Sequence, residues 1–119
     1  MVSQLDSLKK FSSVVADTGD IDSIQKFNPD DCTTNPSLIF KAVQSNKYKK
    51  LVDDVISNSK SRKFSQTDDQ VNHIADQLTI AFGIELTKIV PGYVSTEVDS
   101  DLSFNTDATV EKAKQIINS

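Results

Sequence analysis

The longest apolar pattern in the chain predicts a helix over residues 68–89. Apolar side chains recur there at intervals of three and four residues, which places them on one helical face. They are Val71, Ile74, Ala75, Leu78, Phe82, Leu86 and Ile89. Thr67, followed three residues later by Gln70, matches a capping box and predicts the start of the helix. Pro91 and Gly92 predict its end.

Shorter apolar stripes predict further helices over residues 3–10 and 21–27 and after Pro36. Pro36 suits a first helical position, where its missing N–H is not needed. The stripe after it contains Leu38, Ile39, Ala42 and Val43, and a second contains Tyr48, Leu51, Val52, Val55 and Ile56. Residues 57–66 are predicted as a polar loop. Asn105 or Thr106 is expected to cap a last helix, whose inward residues are Val110, Ala113, Ile116 and Ile117.

Three β-branched runs predict strands at residues 13–16, 31–34 and 93–99. Strands that alternate with helices favour an α/β fold of parallel βα units. The short helical connection between the first two strands suits a curved barrel sheet. A (β/α)8 TIM barrel needs about 250 residues, and three strands leave two open sheet edges. Residues 1–119 are therefore expected to form a single incomplete domain, the N-terminal part of such a barrel with extra helices.

Composition narrows the range of partners. The net charge is −4, which argues against a nucleic-acid partner, and the basic stretch 41–63 is diluted by Asp53 and Asp54. No window of about 18 apolar residues predicts a membrane span, and the first residues lack a signal-peptide core. Cys32 is the only cysteine, and we expect it to be a small buried apolar residue rather than a nucleophile. A cytoplasmic protein is expected.

Polar side chains cluster where each predicted strand ends. The clusters are Asp17, Thr18 and Asp20; Thr33, Thr34 and Asn35; and Ser95, Glu97 and Asp99. Ligands of parallel α/β folds bind beyond the carboxyl ends of the strands. Two carboxylates and an amide at that edge could move protons on a polyol or carbonyl compound and hold one of its hydroxyls.

Each cluster also has a purely structural interpretation. Asp17 and Asp20 could be turn formers or helix N-caps, and Asn35 could cap the helix that starts at Pro36. Glu97 in a parallel strand must be paired, hydrogen-bonded or open to a cavity. A metal site of Glu97, Asp99 and Asp101 is disfavoured because no histidine joins them, so no metal is expected.

Four motifs at their observed spacing resemble the longer transaldolases of the pentose phosphate pathway. They are LDSLKKFSSVVADTGD (5–20), DCTTNPSL (31–38), FGIELTKIVPG (82–92) and VSTEVDSDLSF (94–104). The resemblance implies a (β/α)8 barrel and no metal or organic cofactor. It also implies sugar phosphate substrates: a lysine Schiff base carries a dihydroxyacetone unit from fructose 6-phosphate or sedoheptulose 7-phosphate to an aldose phosphate.

By the same resemblance, Asp17 is the acid–base group for carbon–carbon cleavage and Glu97 moves protons through water during Schiff-base formation and loss. Asn35 binds substrate hydroxyls, and Thr33 lines the same pocket. The Schiff-base lysine of the family lies on a fourth strand and is expected to be absent from this chain, which by itself would be inactive. Two alternatives are a truncated, non-catalytic interaction module and part of a small aldolase of the same superfamily. Pairing with a missing C-terminal segment or a second copy is also expected.

Overall fold

The computed structural model describes residues 2–119, which contain six α-helices and three β-strands. The helices are α1 (Gln4–Leu8), α2 (Ile21–Phe27), α3 (Pro36–Val43), α4 (Lys49–Ser59), α5 (Thr67–Thr87) and α6 (Thr106–Ile117). The strands are β1 (Val15–Asp17), β2 (Asp31–Thr34) and β3 (Val94–Thr96). Short 3-10 turns at Asn46–Tyr48 and Ser100–Leu102 precede α4 and α6.

The three strands form one parallel sheet in the order β1-β2-β3. The central β2 residue Thr33 lies opposite Asp17 of β1 on one side and Ser95 of β3 on the other. The crossover from β1 to β2 contains α2, and the crossover from β2 to β3 contains α3, α4 and α5. The predicted α/β fold, with three parallel βα units and extra helices, is confirmed.

One face of the sheet is covered by helices. Ile24 of α2 and Leu86 of α5 are fully buried against Cys32 of β2, together with Val90. Ala16 and Val94 are paired with Cys32 in the sheet. Side chains alternate between the two faces of a strand, so Asp17 and Ser95, one residue further along, point to the opposite face, where they are exposed. The row of paired residues Asp17, Thr33 and Ser95 therefore lies on the face that none of the described helices covers, which we call the open face.

A second core joins α3, α5 and the 3-10 turn before α4. Ile39, Ala42, Tyr48 and Phe82 are buried there. The Tyr48 and Phe82 rings meet edge to face, with 5.1 Å between centroids. Phe82 is fully buried, and truncation of a buried phenylalanine to alanine costs about 3–5 kcal/mol. This core ties α5, which also covers the sheet, to the turn that carries Tyr48.

Several predicted strand and helix ends are wrong by a few residues. β1 extends to Asp17, which the sequence assigned to a turn, and β3 ends at Thr96 rather than at residue 99. α4 continues to Ser59, into the predicted loop, and the buried Ser59 hydroxyl donates a 2.9 Å hydrogen bond to the Val55 carbonyl. Tyr48 belongs to the 3-10 turn that precedes α4.

Two predictions about helix caps and faces are also wrong. The capping box at Thr67 and Gln70 is not formed, because Gln66 is the N-cap of α5 and makes no side-chain cap bond. Val110 and Ile117, predicted to face inward on α6, are 45% and 81% exposed. In the described residues α6 has no fully buried side chain, since only one side of it meets the rest of the molecule.

Candidate active site

Asp17 and Thr33 are in direct contact at the carboxyl end of the sheet. The Thr33 hydroxyl donates a 2.9 Å hydrogen bond to Asp17 Oδ1. The contact follows from the parallel register, in which the two residues are paired neighbours on β1 and β2. Asp17 is exposed and Thr33 is half-buried. The pair therefore presents an oriented carboxylate on the open face of the sheet, where a ligand can reach its second oxygen.

Asn35 is the N-cap of α3. Its side-chain carbonyl Oδ1 accepts a 3.0 Å hydrogen bond from the Leu38 N–H, and Pro36 occupies the first helical position. The cap interpretation of Asn35 and the prediction for Pro36 are confirmed. An asparagine amide has a carbonyl acceptor and an NH2 donor, and this cap uses only the carbonyl. The cap therefore orients the NH2 group and leaves it available to a ligand hydroxyl.

Glu97 follows β3 and continues its ladder. Its N–H donates to the Thr34 carbonyl at 3.4 Å. Exposure alternates from β3 onward: Val94, Thr96 and Val98 are half-buried, whereas Ser95, Glu97 and Asp99 are exposed. Side chains of an extended segment alternate in this way. The alternation puts Glu97 on the open face of the sheet with Ser95, one ladder step beyond the row formed by Asp17, Thr33 and Ser95.

Asp20 does not join this group, because its carboxylate caps α2. It accepts hydrogen bonds from the Asp22 N–H, at 3.3 Å, and from the Ser23 hydroxyl, at 2.6 Å. The Ser23 hydrogen bond, followed by the pairing with Lys47, lowers the pKa of Asp20 below its ordinary value. The N-cap interpretation of Asp20 is confirmed.

Asp99 and Thr18 make local hydrogen bonds instead, and Thr34 lies on the other face of the sheet. The Asp99 carboxylate accepts a 3.0 Å bond from the Asp101 N–H in the 3-10 turn, and the Thr18 hydroxyl accepts one from the Asp20 N–H. Thr34 is fully buried on the covered face, where its hydroxyl has no hydrogen-bond partner among residues 2–119. The sequence placed Thr34 in the polar cluster of β2, and this is wrong because strand alternation turns it away.

Cys32 lies on the covered face beside Thr34. Its side chain is 1% exposed and free. Burial raises the pKa of the Cys32 thiol, and the Asp17 carboxylate adds to the rise. A thiol must ionise to attack as a nucleophile, so this environment suits the predicted small apolar residue.

The Tyr48 hydroxyl makes hydrogen bonds at the start of α2 that the sequence did not predict. It accepts a 3.0 Å hydrogen bond from the Ile21 N–H and donates one of 3.3 Å to Asp20 Oδ1. The sequence predicted Tyr48 only as part of an apolar stripe. No local signal could have identified its partners, because they lie 27 and 28 residues away along the chain.

Two further properties of residues 2–119 concern metal binding and membrane crossing. Within this part of the chain, no group of three or more His, Cys, Asp or Glu side chains is arranged to hold a metal ion. None of its helices combines the length and the apolar character needed to cross a membrane.

The chain is similar to known proteins of one family. A family model described as Transaldolase/Fructose-6-phosphate aldolase matches residues 14–119. "Transaldolase" of Histophilus somni (strain 2336) is 49% identical over 117 residues, which cover 98% of this chain and 37% of the relative. "Transaldolase A" of Pasteurella multocida is 50% identical over the same shares. "Transaldolase" of Cellvibrio japonicus is 46% identical over 99% of the chain and 36% of the relative. The chain thus spans a little over a third of the length of these curated relatives.

Proposed function

The chain belongs to the transaldolase/fructose-6-phosphate aldolase family, and we propose that it forms the acid–base and hydroxyl-binding wall of a transaldolase site. The family has an α/β TIM-barrel fold, and the three-stranded parallel sheet is consistent with part of such a barrel. In the proposed reaction, a dihydroxyacetone unit passes from fructose 6-phosphate or sedoheptulose 7-phosphate to an aldose phosphate. A lysine outside this chain forms the Schiff base.

The observation that carries the proposal is the hydrogen bond between Thr33 and Asp17 on the open face of the sheet. Cleavage of the carbon–carbon bond removes a proton from the substrate hydroxyl next to that bond, and transfer to the acceptor returns it. A positioned carboxylate can do both. Thr33 occupies Oδ1 and holds the group in one orientation, so Oδ2 of Asp17 would receive the proton.

Glu97 and Asn35 complete the proposed wall. Schiff-base formation expels water from the carbinolamine, and the leaving hydroxyl needs a proton. Attack of the lysine amine frees a proton from its nitrogen, and the exposed Glu97 carboxylate would take up this proton through a water molecule and pass it to the leaving hydroxyl. Hydrolysis would reverse these transfers. The Asn35 NH2, oriented by the α3 cap, would donate a hydrogen bond to a substrate hydroxyl.

The proposal can be tested in a full-length chimaera in which this chain replaces the matched segment of the Pasteurella multocida relative. The chimaera is expected to transfer dihydroxyacetone from fructose 6-phosphate to erythrose 4-phosphate. Borohydride reduction in the presence of fructose 6-phosphate should leave a covalent adduct, detectable by mass spectrometry. A folded chimaera that gives neither turnover nor adduct would overturn the proposal.

A second candidate is aldol cleavage without transfer, because the matching family model is described for fructose-6-phosphate aldolases as well. Such an enzyme releases free dihydroxyacetone from fructose 6-phosphate when no acceptor is present. Transfer requires the acceptor, and the relatives named above are called transaldolases. Product release without an acceptor would favour the aldolase.

Two further parts of the proposal concern partners and location. In the described sheet β1 and β3 each pair on one side only, and unpaired edges can accept another strand. We propose that these edges pair with further strands of the barrel. Size-exclusion chromatography of the 119-residue chain would test the alternative, a non-catalytic module that self-associates. The proposed location is the cytoplasm and the proposed pathway the pentose phosphate pathway, as the family resemblance implies.

A further inference from the structure

Asp17 leads directly into the loop 18–20 between β1 and α2, and this loop is held by contacts outside the proposed site. One contact is to α3, which carries Asn35 at its N-cap. The other is to the 3-10 turn that carries Tyr48. The loop is therefore placed where it could set the position of Asp17 relative to Asn35.

The first contact is made by Gly19, which is buried. A Cβ atom at this position would lie 2.9 Å from the Leu38 carbonyl oxygen and 3.5 Å from Ala42 Cβ. A real Cβ does not approach a backbone oxygen that closely, so only glycine allows the loop to pass here. Leu38 is the same residue whose N–H Asn35 caps. The Asp17 loop and the Asn35 side chain therefore both contact Leu38, in the first turn of α3.

The second contact is made by Tyr48, which is 9% exposed. Its hydroxyl accepts a hydrogen bond from the Ile21 N–H and donates one to the Asp20 carboxylate. It therefore binds both sides of the junction between the loop and α2. Its ring packs edge to face on Phe82, a fully buried residue of α5. Tyr48 thereby connects the end of the Asp17 loop to the core of the molecule.

We propose that Tyr48 and Gly19 are positioning residues that set the separation of the Asp17 carboxylate and the Asn35 amide in the active site. The inference rests on the proposed function, which gives those two groups their roles. A misplacement of about 1 Å can cost roughly 100-fold in rate even when the mutated residue lies away from the chemistry. A loop held at only one of its two contacts would allow such a shift.

The test uses the chimaera with Tyr48→Phe, which keeps the ring against Phe82 and removes both hydrogen bonds. Tyr93→Phe is the matched control, since Tyr93 is 83% exposed. In Tyr48→Phe we expect kcat to fall roughly 10-fold with little change in borohydride trapping. The trapped adduct should shift from the three-carbon product towards uncleaved six-carbon sugar, because Asp17 serves cleavage. An unchanged adduct ratio and kcat would overturn the inference.

Gly19→Ala tests the other contact, with Gly83→Ala as its control. A Cβ at Gly83 would lie 3.6 Å from the Thr96 hydroxyl, an ordinary contact. Gly19→Ala is expected to show the same shift towards six-carbon adduct, and Gly83→Ala to behave like the unsubstituted chimaera. If Gly19→Ala does not fold, Tyr48→Phe alone decides. Equal adduct ratios in folded Gly19→Ala and Gly83→Ala would contradict the role of Gly19.

Amide hydrogen exchange separates failure of this inference from failure of the proposed function. In Tyr48→Phe the Ile21 amide should exchange faster than in Tyr93→Phe, whether or not the chimaera is active. A folded chimaera that gives neither turnover nor adduct, but whose Ile21 amide exchanges faster in Tyr48→Phe, would overturn the proposed function and support the link between Tyr48 and the loop. An active chimaera whose Ile21 exchange does not respond to Tyr48→Phe would overturn the link alone.

Discussion

Thr33 and Asp17, on neighbouring parallel strands, share a 2.9 Å hydrogen bond on the open face of the sheet. The bond joins the proposed acid–base carboxylate to the central strand, which is anchored on its other face by the buried Cys32 and Thr34. The carboxylate is thus held by a rigid element while its second oxygen remains accessible. Each of the following predictions applies to the full-length chimaera.

Asp17→Ala should abolish cleavage but permit Schiff-base formation. General acid–base catalysis contributes roughly 10²- to 10⁴-fold, and turnover should fall by that order. Borohydride should then trap uncleaved six-carbon sugar on the protein, measured by mass spectrometry. Asp54→Ala, which removes an exposed carboxylate of α4, is the control. Turnover equal to that of the control would refute the role of Asp17.

Thr33→Val should lower kcat moderately, because it removes the hydroxyl that orients Asp17 and keeps the shape of the side chain. A hydrogen bond to a charged group contributes about 1.5–3 kcal/mol, so the expected loss is roughly 10- to 100-fold. Thr33→Ser retains a donor and should recover most of the activity. Steady-state kinetics of the two variants would decide, and identical kcat values would show that the hydroxyl does not matter.

Asn35→Asp should separate helix capping from substrate binding. Aspartate caps a helix as well as asparagine does, so the free energy of unfolding should change little. The carboxylate has no NH2 to donate, and KM for fructose 6-phosphate should rise. Asn35→Ala should raise KM and also cost about 1 kcal/mol of stability. An unchanged KM in Asn35→Asp would show that Asn35 caps α3 but does not bind the substrate.

Glu97→Gln should slow imine formation, since an amide cannot exchange the proton that the leaving hydroxyl needs. The rate at which borohydride-trapped adduct accumulates after substrate is added would measure this step. The adduct should still be mainly the three-carbon species, because Asp17 is intact. Glu111→Gln, an exposed change on α6, is the control. Trapping rates that match would count against the proposed role.

Asp20→Asn should destabilise the fold at neutral pH and lose this effect in acid. The pKa of Asp20 is lowered in the folded state, first by the Ser23 hydrogen bond. A lowered folded-state pKa contributes stability above the unfolded-state value, and that stability disappears as pH falls through the folded-state pKa. Urea unfolding at neutral pH and below pH of about 4 should show the difference shrinking. A pH-independent difference would contradict the charge-based explanation.

The local features of the fold were predictable because they depend on residues within a few positions of each other. Asn35 and Asn105 cap helices, and Pro36 starts one, as their neighbours predict. The long apolar stripe predicts α5, and local alternation along β3 leaves Ser95 exposed and Thr96 half-buried. The candidate site was predicted in the same way, as polar residues at three strand ends.

The remaining features depend on contacts between distant parts of the chain. Register decides that Asp17 meets Thr33, 16 residues away, and the packing of helices against one face of the sheet decides that Thr34 is buried. Packing decides that Val110 and Ile117 stay exposed and that Tyr48 binds Ile21. The sequence by itself therefore determined the order of the elements, their caps and the residues available for chemistry, since these follow from periodicity and short-range hydrogen bonds. Only the tertiary structure decided which side chains touch, because that depends on how separate elements pack and pair.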